Sequence, residues 1–207
     1  MEKITVERCC TCREQVVEAL ENGSDRIELC EQLEIGGITP SEENIRMCIA
    51  VGLPVNVLIR PRSGNFVWTE DEVSQMLRSI AFCKSSGCNG VVIGALDSDG
   101  NVDIPTMERL VDAARPLEIT FHRAFDECSD PHKAFEDVIS LGCERLLTSG
   151  HAPSAPQGAQ LISELVRMAE GRIIVMAGAG VRQENLEALR QATHAKEFHS
   201  SHILHKQ

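Results

Sequence analysis

Apolar and polar positions alternate with two different periods along the whole chain. Between strand-like runs, apolar residues recur three and four positions apart, as in Val73, Met76, Leu77 and Ile80, which is the spacing of one helix face. The pattern predicts eight strands and seven helices in strict alternation. The strand-like runs follow one another at intervals of roughly 22 to 35 residues and begin near Ile4, Arg26, Val55, Gly90, Glu118, Arg145, Ile173 and Ala195.

Helix starts are signalled as well. The segments Thr39-Pro40-Ser41-Glu42 and Thr69-Glu70-Asp71-Glu72 are typical of capping boxes, in which a side chain at each end of the motif satisfies a free backbone N–H. Asp130 followed by Pro131 places an N-cap directly before a proline at the first helical position. These signals fix where several helices follow their strands.

The alternation predicts the fold class. No long Gly/Pro/Ser-rich linker and no break in composition divides the chain, so residues 1–207 are expected to form a single domain. Eight β/α units favour a TIM-type (β/α)8 barrel over an open doubly wound sheet. Only residues 202–207 follow the eighth strand, so the eighth helix is predicted to be missing. A partner subunit, a wall without a helix or a truncated chain could account for that gap.

Composition excludes several classes of protein. No run approaches the roughly 18 apolar residues of a membrane helix, and the first residues lack the apolar stretch of a signal peptide, so a cytoplasmic protein is expected. Nine scattered cysteines, an odd number, favour reduced thiols over a disulfide framework. A net charge of −11, no tyrosine and no basic run argue against nucleic-acid binding.

Candidate chemistry lies at the strand ends. The run Thr120–Asp126 stops in His122, Arg123 and Asp126, and other strands also end in polar residues, which converge on one mouth in a β/α barrel. Alternation along the strands predicts which side chains point into the barrel or its mouth. That inward set is Glu7, Cys9, Glu28, Cys30, Arg60, His122, Glu197 and His199. The alternative is that its charged members only neutralise one another.

The two inward cysteines indicate a metal site. Cys9 and Cys30 are on consecutive strands, which lie about 4.8 Å apart in a sheet. Thiolates select Cu(I) or zinc, and two nearly linear sulfurs would satisfy Cu(I) without further ligands. The alternative is that both are ordinary buried residues. Cys9 and Cys12 also form a C-x-x-C spacing, but no second such pair exists, so a structural zinc site is not expected.

Another group of residues indicates an anion-binding enzyme. His122 is the candidate general acid or base, with Glu28 or Glu197 as its partner, and Asp126 as another residue that could orient it. The alternative for His122 is a structural hydrogen bond to the backbone, and for the glycines a tight turn. The predicted anion-binding residues are Arg60, Arg62, Arg123, His199, Gly178 and Gly180.

With these residues in view, the chain resembles the CutC family of copper homeostasis proteins. The resemblance implies a cytoplasmic TIM-type barrel that self-associates and has a role in copper handling. It also implies that Cys9 and Cys30 meet Cu(I), and that the polar mouth contains Glu28, Arg60, Arg62, His122, Arg123 and His199. The matching stretches are Asp25–Cys30, Gly36–Ser41, Ile59–Gly64, Leu96–Asp103, Thr120–Asp126, Leu147–Gly150 and Met176–Val181.

Two functions follow from the sequence. One is copper homeostasis, with Cu(I) held between Cys9 and Cys30. The other is an enzyme that acts on a small phosphorylated or carboxylated metabolite at the mouth. The expected partners are therefore a copper ion or a small anionic metabolite, together with further copies of the chain in a homo-oligomer.

Overall fold

A computed structural model describes residues 3–205, and each predicted strand begins within two residues of the position expected from the sequence. The strands are β1 (Thr5–Cys10), β2 (Arg26–Leu29), β3 (Val55–Leu58), β4 (Gly90–Ile93), β5 (Glu118–Phe121), β6 (Arg145–Thr148), β7 (Ile174–Ala177) and β8 (Glu197–Ser200). The helices are α1 (Arg13–Glu21), α2 (Glu42–Ile49), α3 (Glu70–Ser86), α4 (Ile104–Ala114), α5 (Pro131–Ser140), α6 (Ala159–Ala169) and α7 (Gln183–Thr193). Two 3-10 turns, Leu33–Ile35 and Arg123–Glu127, follow β2 and β5.

The eight strands form a closed parallel barrel in chain order. The barrel closes where β1 pairs with β8, with Glu7 beside His199 and Arg8 beside Ser200. On its other side β1 pairs with β2, with Cys9 beside Glu28. Residues 201–205 contain no helix. Both the TIM-type barrel and the missing eighth helix are therefore confirmed for the part of the chain that the structure describes.

The predicted helix caps are confirmed at two of three positions. Thr69 and Glu72 form the reciprocal bonds of a capping box before α3, and Asp130 accepts two backbone N–H groups before α5. The prediction at Thr39 is wrong, because Ser41 is the residue that caps α2. The Thr39 hydroxyl instead accepts the Arg60 backbone N–H at 2.8 Å, which ties the β2–α2 connection to the end of β3.

The inside of the barrel differs from the core that surrounds it. The main apolar core lies between strands and helices, whereas the barrel interior holds a small separate cluster of Cys9, Cys30, Leu58 and Val92. Near the strand starts, inward charged residues form an ion-pair network that we call the floor, which is buried except at Glu118. Its members are Glu7, Arg26, Glu118, Arg145 and Glu197. The floor closes one end of the barrel and leaves the other end for a cavity.

The side of the barrel without an eighth helix is covered by the chain itself. Phe198 on β8 is fully buried, and Leu204 in the segment after β8 is 1% exposed and belongs to the main core. The Gln183 side chain exchanges two hydrogen bonds with the His205 backbone, which holds this segment against the start of α7. Arg8 packs outward from β1 and pairs with Glu18 at 2.6 Å. This side is therefore a wall without a helix.

None of the helices within residues 3–205 is both long enough and apolar enough to cross a membrane.

Candidate functional site

The carboxyl ends of the strands surround a cavity of about 720 Å³. A β/α barrel places its chemistry at this end, because the connections that follow the strands converge there. Most of the residues singled out from the sequence reach the cavity wall. The side chains discussed below are those of Cys9, Glu28, Cys30, Arg60, His122 and His199.

The two cysteine sulfurs lie 3.5 Å apart and are both buried. The hydrogen bond with Cys30, together with burial and the nearby Glu28 carboxylate, raises the pKa of the Cys9 thiol well above its usual value. With a metal–sulfur bond of about 2.3 Å, two sulfurs in line with an ion would be about 4.6 Å apart, so the two thiols would have to separate to hold an ion linearly. The linear Cu(I) arrangement expected from the sequence stays a prediction.

Glu28 and His199 lie beside Cys9. One ligand atom from each of these three residues lies within 4.8 Å of those of the other two. The Glu28 side chain is buried, and its Oε2 has no hydrogen-bond partner among residues 3–205. Burial is the main reason why the pKa of this carboxyl rises to about 7, and the negative charge of Glu7 adds to the effect. The cavity thus contains an unsatisfied carboxyl group that can gain or lose a proton near neutral pH.

His199 is held by Glu7. The distance between His199 Nδ1 and Glu7 Oε1 is 2.9 Å, and the other oxygen of Glu7 accepts hydrogen bonds from Arg26 and Asn56. Burial opposes the charge on Glu7, but the bonds from His199 and Arg26 outweigh it and lower the pKa of Glu7 to about 2. Because Nδ1 is engaged with an ionised carboxylate, Nε2 is the ring nitrogen of His199 that remains for a ligand.

His122 is oriented by the backbone. Its Nδ1 accepts the Ala124 N–H at 3.1 Å, which places the proton of a neutral imidazole on Nε2. That Nε2 is buried and has no partner within residues 3–205. Burial, together with the positive charge of Arg60, lowers the pKa of His122 to about 3. The structure therefore favours a neutral hydrogen-bond donor at this position, and the role of general acid or base stays a prediction.

The Arg60 guanidinium is used mainly to hold the backbone of the mouth and is not a free anion-binding group. Its guanidinium donates to the carbonyls of Gly36, Gly37 and Gly64, so it ties together the connections after β2 and β3. Its Nε has no partner in the described residues, and burial lowers the pKa of the guanidinium. The Phe66 ring lies 4.9 Å from both the Arg60 guanidinium and the His122 ring. Within residues 3–205 no carboxylate forms an ion pair with Arg60, so Arg60 adds positive charge to the cavity wall.

Three predicted site residues do not line the cavity. Glu197 is bonded to Arg26 and Arg145 in the floor, so it is not positioned as the partner of His122. The Gly178 N–H donates to the Thr148 carbonyl, so it does not offer the free amide expected for an anion. Arg62 is paired with Glu72 and lies over the Trp68 ring.

Three other predicted residues reach the cavity wall, and two of them, Arg123 and Asp126, have polar groups that are already engaged. Arg123 pairs with Asp126 at 2.8 Å and also donates to Ser149. Asp126 in turn holds Thr148 and Ser149 at the end of β6, so it does not orient His122. Gly180 lines the wall with a positive φ of 71°, a backbone conformation that favours glycine.

Sequence reasoning missed residues that position the site. Gly94 at the end of β4 leaves room for the His122 ring, since a Cβ there would lie 2.5 Å from His122 Nδ1. The period of two along β4 gives a signal for this, because it turns Gly94 inward beside β5. The partnership of Glu7 with Arg26 had a similar signal, because Arg26 opens β2 on the same face as Glu28 and Cys30.

Comparison with known proteins places this chain in a family. A model of the CutC family matches residues 4–204. A CutC family protein from Parabacteroides distasonis is 48% identical over 201 residues, covering 96% of this chain and 83% of its own length. One from Xanthomonas campestris is 49% identical over 184 residues, covering 88% of this chain and 77% of its own length.

Solved structures agree in fold. The crystal structure of a protein named copper homeostasis protein CutC, from Streptococcus agalactiae, superimposes with a TM-score of 0.92 at 32% identity, over 97% of this chain and 99% of that one. An aldolase superimposes with a TM-score of 0.69 at 15% identity, over 94% of this chain and 89% of that one. The aldolase likeness concerns the barrel fold alone.

Proposed function

Since the chain belongs to the CutC family, we propose that it is a cytoplasmic copper homeostasis protein that holds Cu(I) between Cys9 Sγ and Cys30 Sγ. The observation that carries this proposal is the pair of buried thiols 3.5 Å apart on neighbouring strands. Soft thiolate ligands select Cu(I), and a reducing compartment keeps both the ion and the thiols in the required state. Leu58 and Val92 exclude water from one side of the pair.

The donor set fits the ion, since two thiolates would satisfy Cu(I) without further protein ligands. Two sulfur ligands would leave an opening beside the ion for another thiolate. That opening is how a buffer or carrier could release its ion to another thiolate, because exchange between thiolates needs a vacant position. The other seven cysteines lie elsewhere in the chain and are not needed for the site.

The test is an anaerobic titration with Cu(I) against a competing chelator. We expect the wild-type chain to bind one ion tightly, and the Cys9→Ser/Cys30→Ser double variant to lose that binding. Cys12→Ser is the matched control, since Cys12 follows β1 but does not line the cavity; it should bind as the wild type does. Equal affinity in the double variant would rule out the two-thiol site.

A second function, a barrel enzyme acting on a small phosphorylated or carboxylated metabolite, is favoured by a separate observation. Glu28 Oε2 and His122 Nε2 are both buried, lack a hydrogen-bond partner among residues 3–205, and belong to residues on the wall of one cavity. An unpartnered buried polar atom is expensive, so two on one cavity indicate a ligand that satisfies them. In this function Glu28 moves a proton, His122 Nε2–H donates to a substrate oxygen, and Arg60 supplies positive charge.

This second function is tested by calorimetric screening of small carboxylates and phosphates against the reduced protein. We expect a binding compound to lose at least about tenfold in affinity with His122→Asn, because a lost hydrogen bond to a charged group is worth about 1.5–3 kcal/mol. The Cys30→Ser variant, which removes the proposed copper site, should still bind that compound. Failure of every such anion to bind the wild-type protein would count against the enzyme.

A further inference from the structure

Cys9 faces a second possible set of partners besides Cys30. Ligand atoms of Cys9, Glu28 and His199 all lie within 4.8 Å of one another on the cavity wall. Around one tetrahedral zinc ion, ligand atoms lie about 3.3 to 3.8 Å apart. Small side-chain rotations would bring the three onto one ion. The set consists of one sulfur, one oxygen and one nitrogen.

This mixed set suits a divalent ion of intermediate softness better than it suits Cu(I). Zinc accepts thiolate, imidazole and carboxylate ligands alike, whereas Cu(I) prefers sulfur and gains little from a hard carboxylate oxygen. Three protein ligands with an open fourth position are typical of catalytic zinc sites. All three residues line the cavity, so the fourth position faces a space that a small ligand can reach.

The surroundings of His199 supply an independent observation. Metal-bound histidines commonly give their other ring N–H to a carboxylate, which fixes the tautomer and the direction of the ring. Glu7 stands in that position, 2.9 Å from His199 Nδ1. Glu7 is itself fixed, because Arg26 donates to it at 2.6 Å and Asn56 at 3.0 Å.

Glu28 supplies a second independent observation in favour of a metal ion. It is only 6% exposed, and its Oε2 lacks a hydrogen-bond partner among residues 3–205. A cation bound beside it would satisfy that oxygen. A purely structural role would instead pair the carboxylate, as Arg26 and Arg145 pair the floor carboxylates.

We propose that Cys9 Sγ, a Glu28 carboxylate oxygen and His199 Nε2 form a zinc site with one open position, and that Glu7 orients His199 from the second shell. The site goes beyond copper binding and does not depend on it. It shares Cys9 with the proposed Cu(I) pair, so the two ions exclude each other. A zinc ion here would supply a Lewis acid on the wall of the cavity that His122 also lines.

The first test is Zn²⁺ titration of the reduced, metal-free protein against a chromophoric chelator. We expect one Zn²⁺ per chain. Glu28→Gln and His199→Gln should each weaken binding by at least about 100-fold, the upper end of what losing a second-shell partner costs, and Glu7→Gln by about 10- to 100-fold. Cys12→Ser should change nothing. Circular dichroism and the unfolding transition of each variant show whether a loss comes from misfolding.

A spectroscopic readout does not depend on affinity. Co²⁺ in place of zinc should give a sulfur-to-cobalt charge-transfer band in the near ultraviolet, with visible bands of tetrahedral intensity. The charge-transfer band should disappear in Cys9→Ser and persist in Cys30→Ser. A band that disappears in Cys30→Ser, or octahedral visible bands without charge transfer, would overturn the assignment.

The two metal proposals fail separately. The Cys30→Ser variant should lose Cu(I) and keep Zn²⁺, whereas Glu28→Gln should lose Zn²⁺ and keep Cu(I). Tight Cu(I) binding without any Zn²⁺ binding overturns the zinc site and spares the copper function. Zn²⁺ binding without Cu(I) binding overturns the copper function and spares the zinc site. If Glu28→Gln and His199→Gln weaken Cu(I) as much as Zn²⁺, a single copper site uses all these residues and the separate zinc site is wrong.

Discussion

At the scale of single residues, His122 shows how burial changes the role of a side chain. A histidine at the end of a barrel strand is expected to titrate near neutral pH and to act as an acid or base. Here the backbone of Ala124 occupies Nδ1, and burial and Arg60 lower the pKa to about 3. The imidazole is therefore a fixed, neutral donor over the whole physiological range, and Glu28 is the group that titrates near pH 7.

This assignment predicts a specific dependence of stability on pH. The unfolded chain has a histidine pKa near 6.5, so between pH 6.5 and about 3 it binds one more proton at His122 than the folded chain does. The free energy of unfolding should thus fall by about 1.4 kcal/mol for each pH unit below 6.5 through this residue. The His122→Asn variant keeps an acceptor for the Ala124 N–H and lacks this pH-dependent contribution to the free energy of unfolding.

Urea unfolding of both proteins between pH 7 and pH 4.5 measures the effect. The stability of the variant relative to the wild type should rise as the pH falls, since the other ionisable groups are common to both. A difference that stays constant with pH would show that His122 titrates with the same pKa in the folded and unfolded chains.

At the scale of elements, the starts of the strands stabilise the barrel and their ends form the cavity. The strand starts carry the floor, in which Arg26 bonds both Glu7 and Glu197, and Arg145 bonds Glu197 and Glu118. Removing one partner of a buried pair leaves an uncompensated charge, whereas an exposed pair adds little. The floor should therefore determine whether the barrel closes, and it also fixes Glu7 beside His199.

The Arg26→Met substitution tests the floor. It removes the guanidinium that Glu7 and Glu197 share. We expect it to lower the free energy of unfolding by about 3–5 kcal/mol. Arg109→Met is the matched control, because it breaks an ion pair with Glu70 on the exposed surfaces of α4 and α3. That change should stay below about 1 kcal/mol. Equal effects in the two variants, measured by urea unfolding, would contradict a structural role for the floor.

At the scale of the whole molecule, the missing eighth helix raises the question of what closes the barrel. In one chain Phe198 and Leu204 are already buried, and Gln183 holds the segment that follows β8. Self-association, which the sequence resemblance implies, stays a prediction and is not required to bury these residues. Sedimentation of the reduced protein over a range of concentrations measures it directly.

The Leu204→Ala substitution tests the wall. Because Leu204 is 1% exposed, the change should lower stability by about 2–5 kcal/mol, whereas Leu20→Ala at a 46% exposed position should change it by about 0.5 kcal/mol or less. The loss should not depend on protein concentration, since the cover lies within the chain. A loss that shrinks as concentration rises would show that a partner subunit covers this side.

The sequence by itself determined the number and order of strands and helices, the barrel and the inward direction of Cys9, Glu28, Cys30, Arg60, His122 and His199. These follow from local periodicity, which each segment carries independently of its neighbours. The tertiary structure decided how the inward residues pair. Glu7 meets His199, 192 positions away, only because β1 and β8 close the barrel in one register.

The registers of the neighbouring strands also bring Glu197 to Arg26 and Arg145 in the floor, whereas the sequence left open whether it points into the barrel or toward its mouth. Height along the barrel axis depends on the stagger of neighbouring strands, and no single strand encodes it. The hydrogen bonds and the burial of each inward side chain depend on this height in turn. Those contacts leave His122 Nε2 as its available ring nitrogen and engage the Gly178 N–H, whereas the residue types and their inward direction were already fixed by the chain.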